Sequence, residues 1–403
     1  MSIELPSSEI IGKKTIKAAS LAGHAHNALA ARADAEAPGE SRQRVLTTVS
    51  CTQPDRIPID FWAVGEVYES LAKHLGVSDA EGVLKAFGVD LRYFRGPGLP
   101  DVTPDEDGVF ADHWGVWRRY HSINGKCRDG SPYTWTSKHL AHSPLANAES
   151  VADIEKHAWP DASKWDYSRV KSACKNIRDK GYAVVFGGDR LDRTSQLKAG
   201  MYLRGTERFV MDLVLEPEIA ECILRHVADY YMDYNFRVFE AAQGGIDIFF
   251  MGDDMGTQNS TWVSLDMYRS FFKKRFAEFN ELAHDFGIKT MYHTCGNVTP
   301  LVGEFVDAGL DILQSLQPAS MADDFAKIKS QYGRHLCLQG GIDIQNVLPN
   351  GSPDDVRRHV RKTAEILGRD GGYIFCTAHN ILPDTPTENV LALVEAYHSF
   401  ARY

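Results

Sequence analysis

The chain has 403 residues, 43% of them hydrophobic, and a formal charge of −10 from 44 Lys and Arg against 54 Asp and Glu. That apolar content supports a substantial core and excludes a mainly disordered chain. The acidic balance excludes a dedicated nucleic-acid binder, which needs clustered Lys and Arg, and is a poor match to an anionic membrane surface.

In chain order, residues 1–40 read as an N-terminal arm: 18–37 is Ala-rich and AEAPGES at 35–41 is a linker. The start has no compact apolar run after basic residues, so no secretory signal is expected. SRQRVLTTVS at 41–50 opens a helix with Ser41 as its N-cap, and Pro54 and Pro58 end it. IPIDFWAV at 57–64 reads as a short apolar strand. Residues 95–145, rich in Gly, Pro, Asp and Trp, read as hairpins or a long insertion. A rhythm then sets in. Short apolar runs at 183–188, 246–252, 288–293, 310–314, 335–341 and 372–376 alternate with amphipathic stretches, the clearest at 265–286 and 352–367. Strand then helix, repeated, means parallel βα units, and about 250 residues suffice for a (β/α)8 barrel. The expected fold is therefore α/β: a TIM (β/α)8 barrel over 41–403 with insertions, preceded by the arm at 1–40. A doubly wound sheet is the rival, but no G-x-G-x-x-G follows an early strand and no P-loop occurs. No apolar stretch approaches the roughly 20 residues of a membrane span. Seven cysteines, odd in number and widely spaced, argue against a disulfide framework and for a cytoplasmic setting.

A barrel places its chemistry at the C-terminal ends of its strands. Those ends carry Asp253 and Asp254 in MGDDMGTQ, His293, Cys295 and Asn297 in YHTCGN, Gln314 and Gln317, Gln339 and Asp343, and Cys376, His379 and Asn380 in FCTAHN. His293 and Cys295, two apart on an extended strand, aim at one side. An imidazole and a thiolate so placed suit Zn²⁺, and Gly296 lets the backbone turn directly afterwards. A third donor is needed, and Cys376 ends a strand about two βα units on. Two cysteines and one histidine with an open position is a catalytic zinc pattern. The bland alternative is a hydrogen-bonded histidine beside an inert buried thiol. For Asp253 and Asp254 the bland alternative is helix capping, weakened because the next clear helix begins about ten residues later.

At these residues the chain resembles the uroporphyrinogen decarboxylase superfamily. The resemblance rests on PDRIPIDFW at 54–62, YLRGTERFVMDLVLEPE at 202–218, MGDDMGTQ with YRSFFKKRF and HTCGN, and GGYIFCTAHNILPDTPTENV at 371–390. It covers roughly 41–400 and implies a TIM barrel. Two activities dominate that superfamily. The true decarboxylase works without metal and holds propionates with arginines just after its first motif, whereas 57–71 here contains no Arg or Lys; a poly-anionic substrate would lack its counter-charges. The other branch comprises zinc methyltransferases that work with corrinoid proteins, whose H-x-C pair His293 and Cys295 match. The resemblance leaves the third ligand between Cys376, which we favour, and His379.

The expectation is thus a zinc-dependent methyltransferase moving a methyl group between a small molecule or thiol and a corrinoid. The zinc ligands would be His293, Cys295 and Cys376. Asp253 and Asp254 would orient substrate, with His379 as a proton shuttle, and Gln339, Asn297, Gln317 and Trp62 would bind substrate. No D-x-H-x-x-G corrinoid motif is present, so the corrinoid would come from a partner protein or as free cobalamin. A homodimer is compatible with the sequence. The alternatives are a metal-independent decarboxylase or lyase on a carboxylated substrate, and a non-catalytic barrel with a structural metal.

Overall fold

A computed structural model describes residues 40–98, 104–187, 194–321 and 324–403. The arm expected over 1–40 lies outside the described residues except for Glu40. All six apolar runs of the sequence rhythm become parallel strands. With β1 (Leu91–Phe94), they are β5 (Ala183–Phe186), β6 (Ile248–Asp253), β7 (Lys289–Thr294), β8 (Ile312–Leu316), β9 (Cys337–Ile342) and β10 (Tyr373–Thr377). They follow one another in the order β1-β5-β6-β7-β8-β9-β10, each paired in parallel with the next. The remaining strands, β2 (Val109–Ala111), β3 (Trp117–Lys126) and β4 (Pro132–His142), form a separate antiparallel sheet within the segment read as an insertion.

The eighth position of the barrel is filled by 57–63, which is no regular strand. Proline at 58 removes a ladder donor there. The segment nonetheless bridges β10 in parallel at Ile59↔Phe375 and pairs Ala63 with Ile381. On its other side Asp90 N–H donates to Ile59 O at 2.9 Å. The sequence reading of a strand here is right in place and wrong in regularity.

Strand alternation sorts the side chains. Leu91, Ala183, Val185, Ile248, Phe250, Met291, Ile312, Cys337 and Ile374 fill the lumen as one apolar cluster. Their neighbours Val184, Phe186, Phe249, Met251, Tyr292, Leu313, Leu338, Tyr373 and Phe375 face the surrounding helices in a second, larger cluster. Two residues further along the same inward rows come Tyr93, His293, Gln314, Gln339 and Cys376. The lumen is therefore apolar below and polar at the C-terminal ends. Among the described residues no helix is long and apolar enough to cross a membrane.

Candidate active site

His293 is buried near the end of β7, level with Gly252 on β6 and Gln314 on β8. Its Nδ1–H donates to Gln314 Oε1, so Nε2 is the ring nitrogen that meets Cys295. Nε2 lies 3.2 Å from Cys295 Sγ and 3.7 Å from Asp254 Oδ1. Trp62 stacks on the imidazole, with centroids 5.8 Å apart and planes 22° apart, and His379 meets it edge-on at 5.4 Å. The ligand atoms of His293, Cys295 and His379 all lie within 4.8 Å of one another.

The loop carrying Cys295 is fixed by close backbone contact. Gly296 has φ +84°, and a Cβ there would come within 2.4 Å of Gly256 and Thr257 backbone atoms. Only glycine fits this approach. Gly256 N–H donates to Cys295 O at 3.1 Å, and Gln317 Oε1 accepts Gly296 N–H at 2.9 Å. Gln317 thus braces the loop, and its amide also reaches Gln345 at 3.0 Å. Asn297 does the same locally, accepting Thr299 N–H at 3.2 Å.

Beside the His–Cys pair lies a buried network centred on Asp60. Its carboxylate accepts Tyr93 O–H at 2.5 Å, Gln339 Nε2–H at 2.7 Å, Trp62 Nε1–H at 2.9 Å and Phe61 N–H at 2.9 Å. Burial outweighs these donors and pushes the Asp60 carboxyl above its ordinary value. Asp60 and Tyr93 were missed from sequence. An acid inside the apolar run IPIDFW was the available signal for Asp60; Tyr93 offered none. Two buried amide atoms facing this network, Gln314 Nε2 and Gln339 Oε1, have no hydrogen-bond partner among the described residues. Buried unmet polar atoms cost about 1–3 kcal/mol each, so they are ready partners for a bound molecule.

Two sequence assignments require correction. Asp253 does not reach the lumen. Alternation along β6 turns it outward with Phe249 and Met251, where its carboxylate accepts the N–H groups of Gln196, Leu197 and Lys198 at 2.7, 2.9 and 2.6 Å. It caps the helix Leu197–Arg204, not the later helix that the sequence reading considered. Burial raises its pKa to about 6. Asp254, one residue on, faces inward and pairs with Lys198 Nζ at 2.5 Å. The second correction concerns Cys376. It points into the lumen on β10, fully buried, and its thiol is pushed well above its ordinary value by burial, with the Asp60 carboxylate adding to the effect. It is not among the ligand atoms gathered around His293; His379 is. His379 Nδ1 accepts Asn380 N–H at 2.8 Å.

The donor set suits a zinc-type cation: one imidazole oriented by the Gln314 amide, one thiol and a second imidazole, at the mouth of a barrel.

Residues 141–400 match the family described as uroporphyrinogen decarboxylase (URO-D). A uroporphyrinogen decarboxylase from Methylococcus capsulatus is 24% identical over 256 residues, covering 62% of this chain and 69% of that protein. A methylated-thiol–coenzyme M methyltransferase from Methanosarcina mazei is 24% identical over 208 residues, 50% of this chain and 51% of that protein, so the match spans about half of that relative. A solved structure described as a methyltransferase from Methanosarcina mazei superimposes with a TM-score of 0.60 at 21% identity, covering 89% of this chain and 98% of that one. That likeness is one of fold, the TIM barrel with its helices. With well over half of its length matched, the chain belongs to the uroporphyrinogen decarboxylase (URO-D) family of enzymes, with relatives of both decarboxylase and methyltransferase name.

Proposed function

We propose that this chain is a zinc-dependent methyltransferase that moves a methyl group between a small-molecule thiol or other heteroatom and a corrinoid. The observation that carries the reading is the 3.2 Å approach of His293 Nε2 to Cys295 Sγ, with His379 in the same group. The methyltransferase name among its relatives adds support. His293, Cys295 and His379 would hold the metal; for His379 to join, its hydrogen bond from Asn380 must be given up. Bound there, Zn²⁺ lowers the pKa of a thiol or polarises a heteroatom.

The chain's own residues do the rest. Gln314 fixes the orientation and tautomer of His293. Trp62 walls the imidazole on one face and is itself anchored to Asp60, which excludes water from that side. Gln339 and Gln314 offer an acceptor and a donor to a polar group of the substrate. Lys198, tied to Asp254, is a cation at the rim for an acidic substituent. The corrinoid would be supplied by a partner protein or free in solution.

Elemental analysis of the purified full chain tests the metal. About one zinc per chain is expected, with marked loss in Cys295→Ser and in His293→Ala. Incubation with methylcobalamin and a panel of thiols should yield methylated thiol, and chelation should stop it. A metal-free wild type, or a Cys295→Ser variant holding as much zinc as wild type, would overturn the site. Turnover that survives chelation, with release of CO2 from a carboxylated substrate, would move the chain to the decarboxylase side of its family.

A further inference from the structure

Among the described residues, two groups of His, Cys, Asp or Glu bring three ligand atoms within 4.8 Å of one another. One is the group around His293. The other is Glu155, Cys222 and His226, carried by helices and not by the strands of the barrel. Cys222 and His226 stand at i and i+4 on the helix Pro217–Ala242, so they share one face. Glu155 ends the helix Val151–Glu155 and lies against that face. Its Oε1 accepts the Cys222 thiol at 3.4 Å, and its Oε2 meets His226 Nε2 at 2.9 Å. Donors bound to one tetrahedral zinc stand about 3.3–3.5 Å apart, given bonds of about 2.3 Å to sulfur and about 2.0 Å to nitrogen or oxygen. Both separations lie within about half an ångström of that spacing.

The donors are held in place. Trp159 lies flat on the His226 ring, with centroids 4.4 Å and planes 9° apart, and its own Nε1–H donates to Ile154 O at 3.1 Å. The Cys222 side chain is buried, while Glu155 is exposed and opens the group to solvent. The group already attracts a cation. Arg225 Nη2–H donates to Glu155 Oε1 at 2.5 Å and reaches Cys222 Sγ at 3.6 Å and His226 Nε2 at 3.4 Å, so one corner of the guanidinium touches all three ligand residues. Arg225 has a second acid to turn to, Asp229 one helical turn on, at 3.9 Å. With the thiol protonated, Glu155 and Arg225 balance. With the thiol ionised, the set carries two negative charges, which match a divalent ion.

We infer that Glu155, Cys222 and His226 form a second metal site, which takes a zinc-class divalent cation in exchange for the Arg225 guanidinium. On entry of the ion Cys222 releases its proton to solvent, His226 carries its hydrogen on Nδ1, and Arg225 turns to Asp229. The fourth position of the tetrahedron is left to water. Because Arg225 competes for the seat, the site fills only when metal is added, beyond the one zinc expected in the barrel. The bound ion ties the helix Val151–Glu155 to the helix Pro217–Ala242, whose Phe239 packs on Phe249 of β6 with centroids 5.2 Å apart. It thus clamps the segment after the antiparallel sheet to the barrel wall, whatever reaction the barrel performs.

Cobalt(II), which copies the coordination of zinc and absorbs when bound to thiolate, is the probe. It is titrated into the full-length Cys295→Ser variant, so that the barrel site contributes no thiolate. A thiolate-to-cobalt charge-transfer band should grow to one thiolate-bound ion per chain, and added zinc should abolish it. Zinc should also raise the thermal midpoint of this variant. Adding Cys222→Ala should remove the band and reduce that rise. Adding Arg225→Ala instead should lower the dissociation constant roughly tenfold, because a like charge leaves the seat. Arg225 is exposed, so this variant keeps its fold, and a salt bridge with no part in metal binding would give no such gain. No band in Cys295→Ser, a band that survives Cys222→Ala, or no tightening with Arg225→Ala would each overturn the exchange. The zinc held by Cys222→Ala alone reports the barrel site, so failure of that site and failure of this one are read separately.

Discussion

At the scale of single residues, the site turns on which way each side chain leaves its strand. His293 and Cys295 were legible because H-x-C on an extended chain fixes both to one side. Asp253 and Asp254 were legible in principle by the same rule, since neighbours on a strand point apart. Only Asp254 could share the lumen with His293, and Asp253 had to find its partners among the outer helices. The third donor was harder. FCTAHN offers a thiol at a strand end and an imidazole on the loop beyond, and spacing does not choose between them. In the fold Cys376 belongs to the inward row of β10, beside Asp60 and Gln339, whereas His379 reaches over the mouth to His293, which is why the proposed zinc site takes His379. The expected outcome of paired substitutions follows. His379→Ala should lose most of its zinc under mild chelation. Cys376→Ser should keep it, while losing about 1–3 kcal/mol of stability from placing a hydroxyl where the thiol is fully buried. Zinc content after dialysis, read beside thermal unfolding, separates the two. The reverse pattern would restore Cys376 as the ligand.

At the scale of elements, the strand rhythm was read within a residue or two of the structure, because fully buried parallel strands are continuous apolar runs. The missed strand, β1, is LRYF, too short and too polar at Arg92 to stand out. The stretch read as one helix over 265–286 is in fact three consecutive pieces. Leu265–Tyr268, capped by Ser264, leads into a π-type turn at Arg269–Lys273 and then Lys274–Asp285. The apolar period could not show this, since Phe272 and Phe276 stay buried through the turn. Ion pairs tie the turn down: Arg269 and Lys273 both reach Glu304 on the helix Val302–Asp307, at 2.6 and 2.5 Å. Hydrogen bonds from those two cations lower the Glu304 pKa to about 2. A carboxyl lowered in the folded state stabilises above its unfolded pKa of about 4.3, and that contribution fades as pH falls towards the folded value. Glu304→Gln should therefore cost on the order of 1 kcal/mol at pH 7, with the deficit shrinking between about pH 4.3 and pH 2. Urea midpoints of both proteins across that range are the check, and a deficit constant with pH would show that the charge is not what holds the turn.

At the scale of the molecule, the barrel closes through a segment that is barely a strand. Between β10 and β1, 57–63 makes only isolated bridges, so backbone pairing alone does little to hold the seam. Buried charge takes that part. Asp90, fully buried, accepts Arg44 Nη1–H at 2.8 Å, Arg56 Nη1–H at 2.8 Å and Ile59 N–H at 2.9 Å. One carboxylate thus joins the helix Glu40–Val49, the seam segment and the start of β1. The same segment carries Asp60 and Trp62, so the closure of the fold and the wall of the site are one structure. Removing one member of a buried ionic cluster leaves the others uncompensated, at a cost of about 3–5 kcal/mol. Asp90→Asn should lose that much, and amide exchange should quicken first across 57–63. Asp55 offers the internal control: it also pairs with Arg44, at 2.7 Å, but its side chain is 65% exposed. Asp55→Asn should cost at most about 1 kcal/mol, as surface pairs do. Equal losses in the two variants, or uniform exchange along the chain, would mean that the seam is held by its apolar residues Ile57, Ile59 and Phe61 and not by the buried carboxylate.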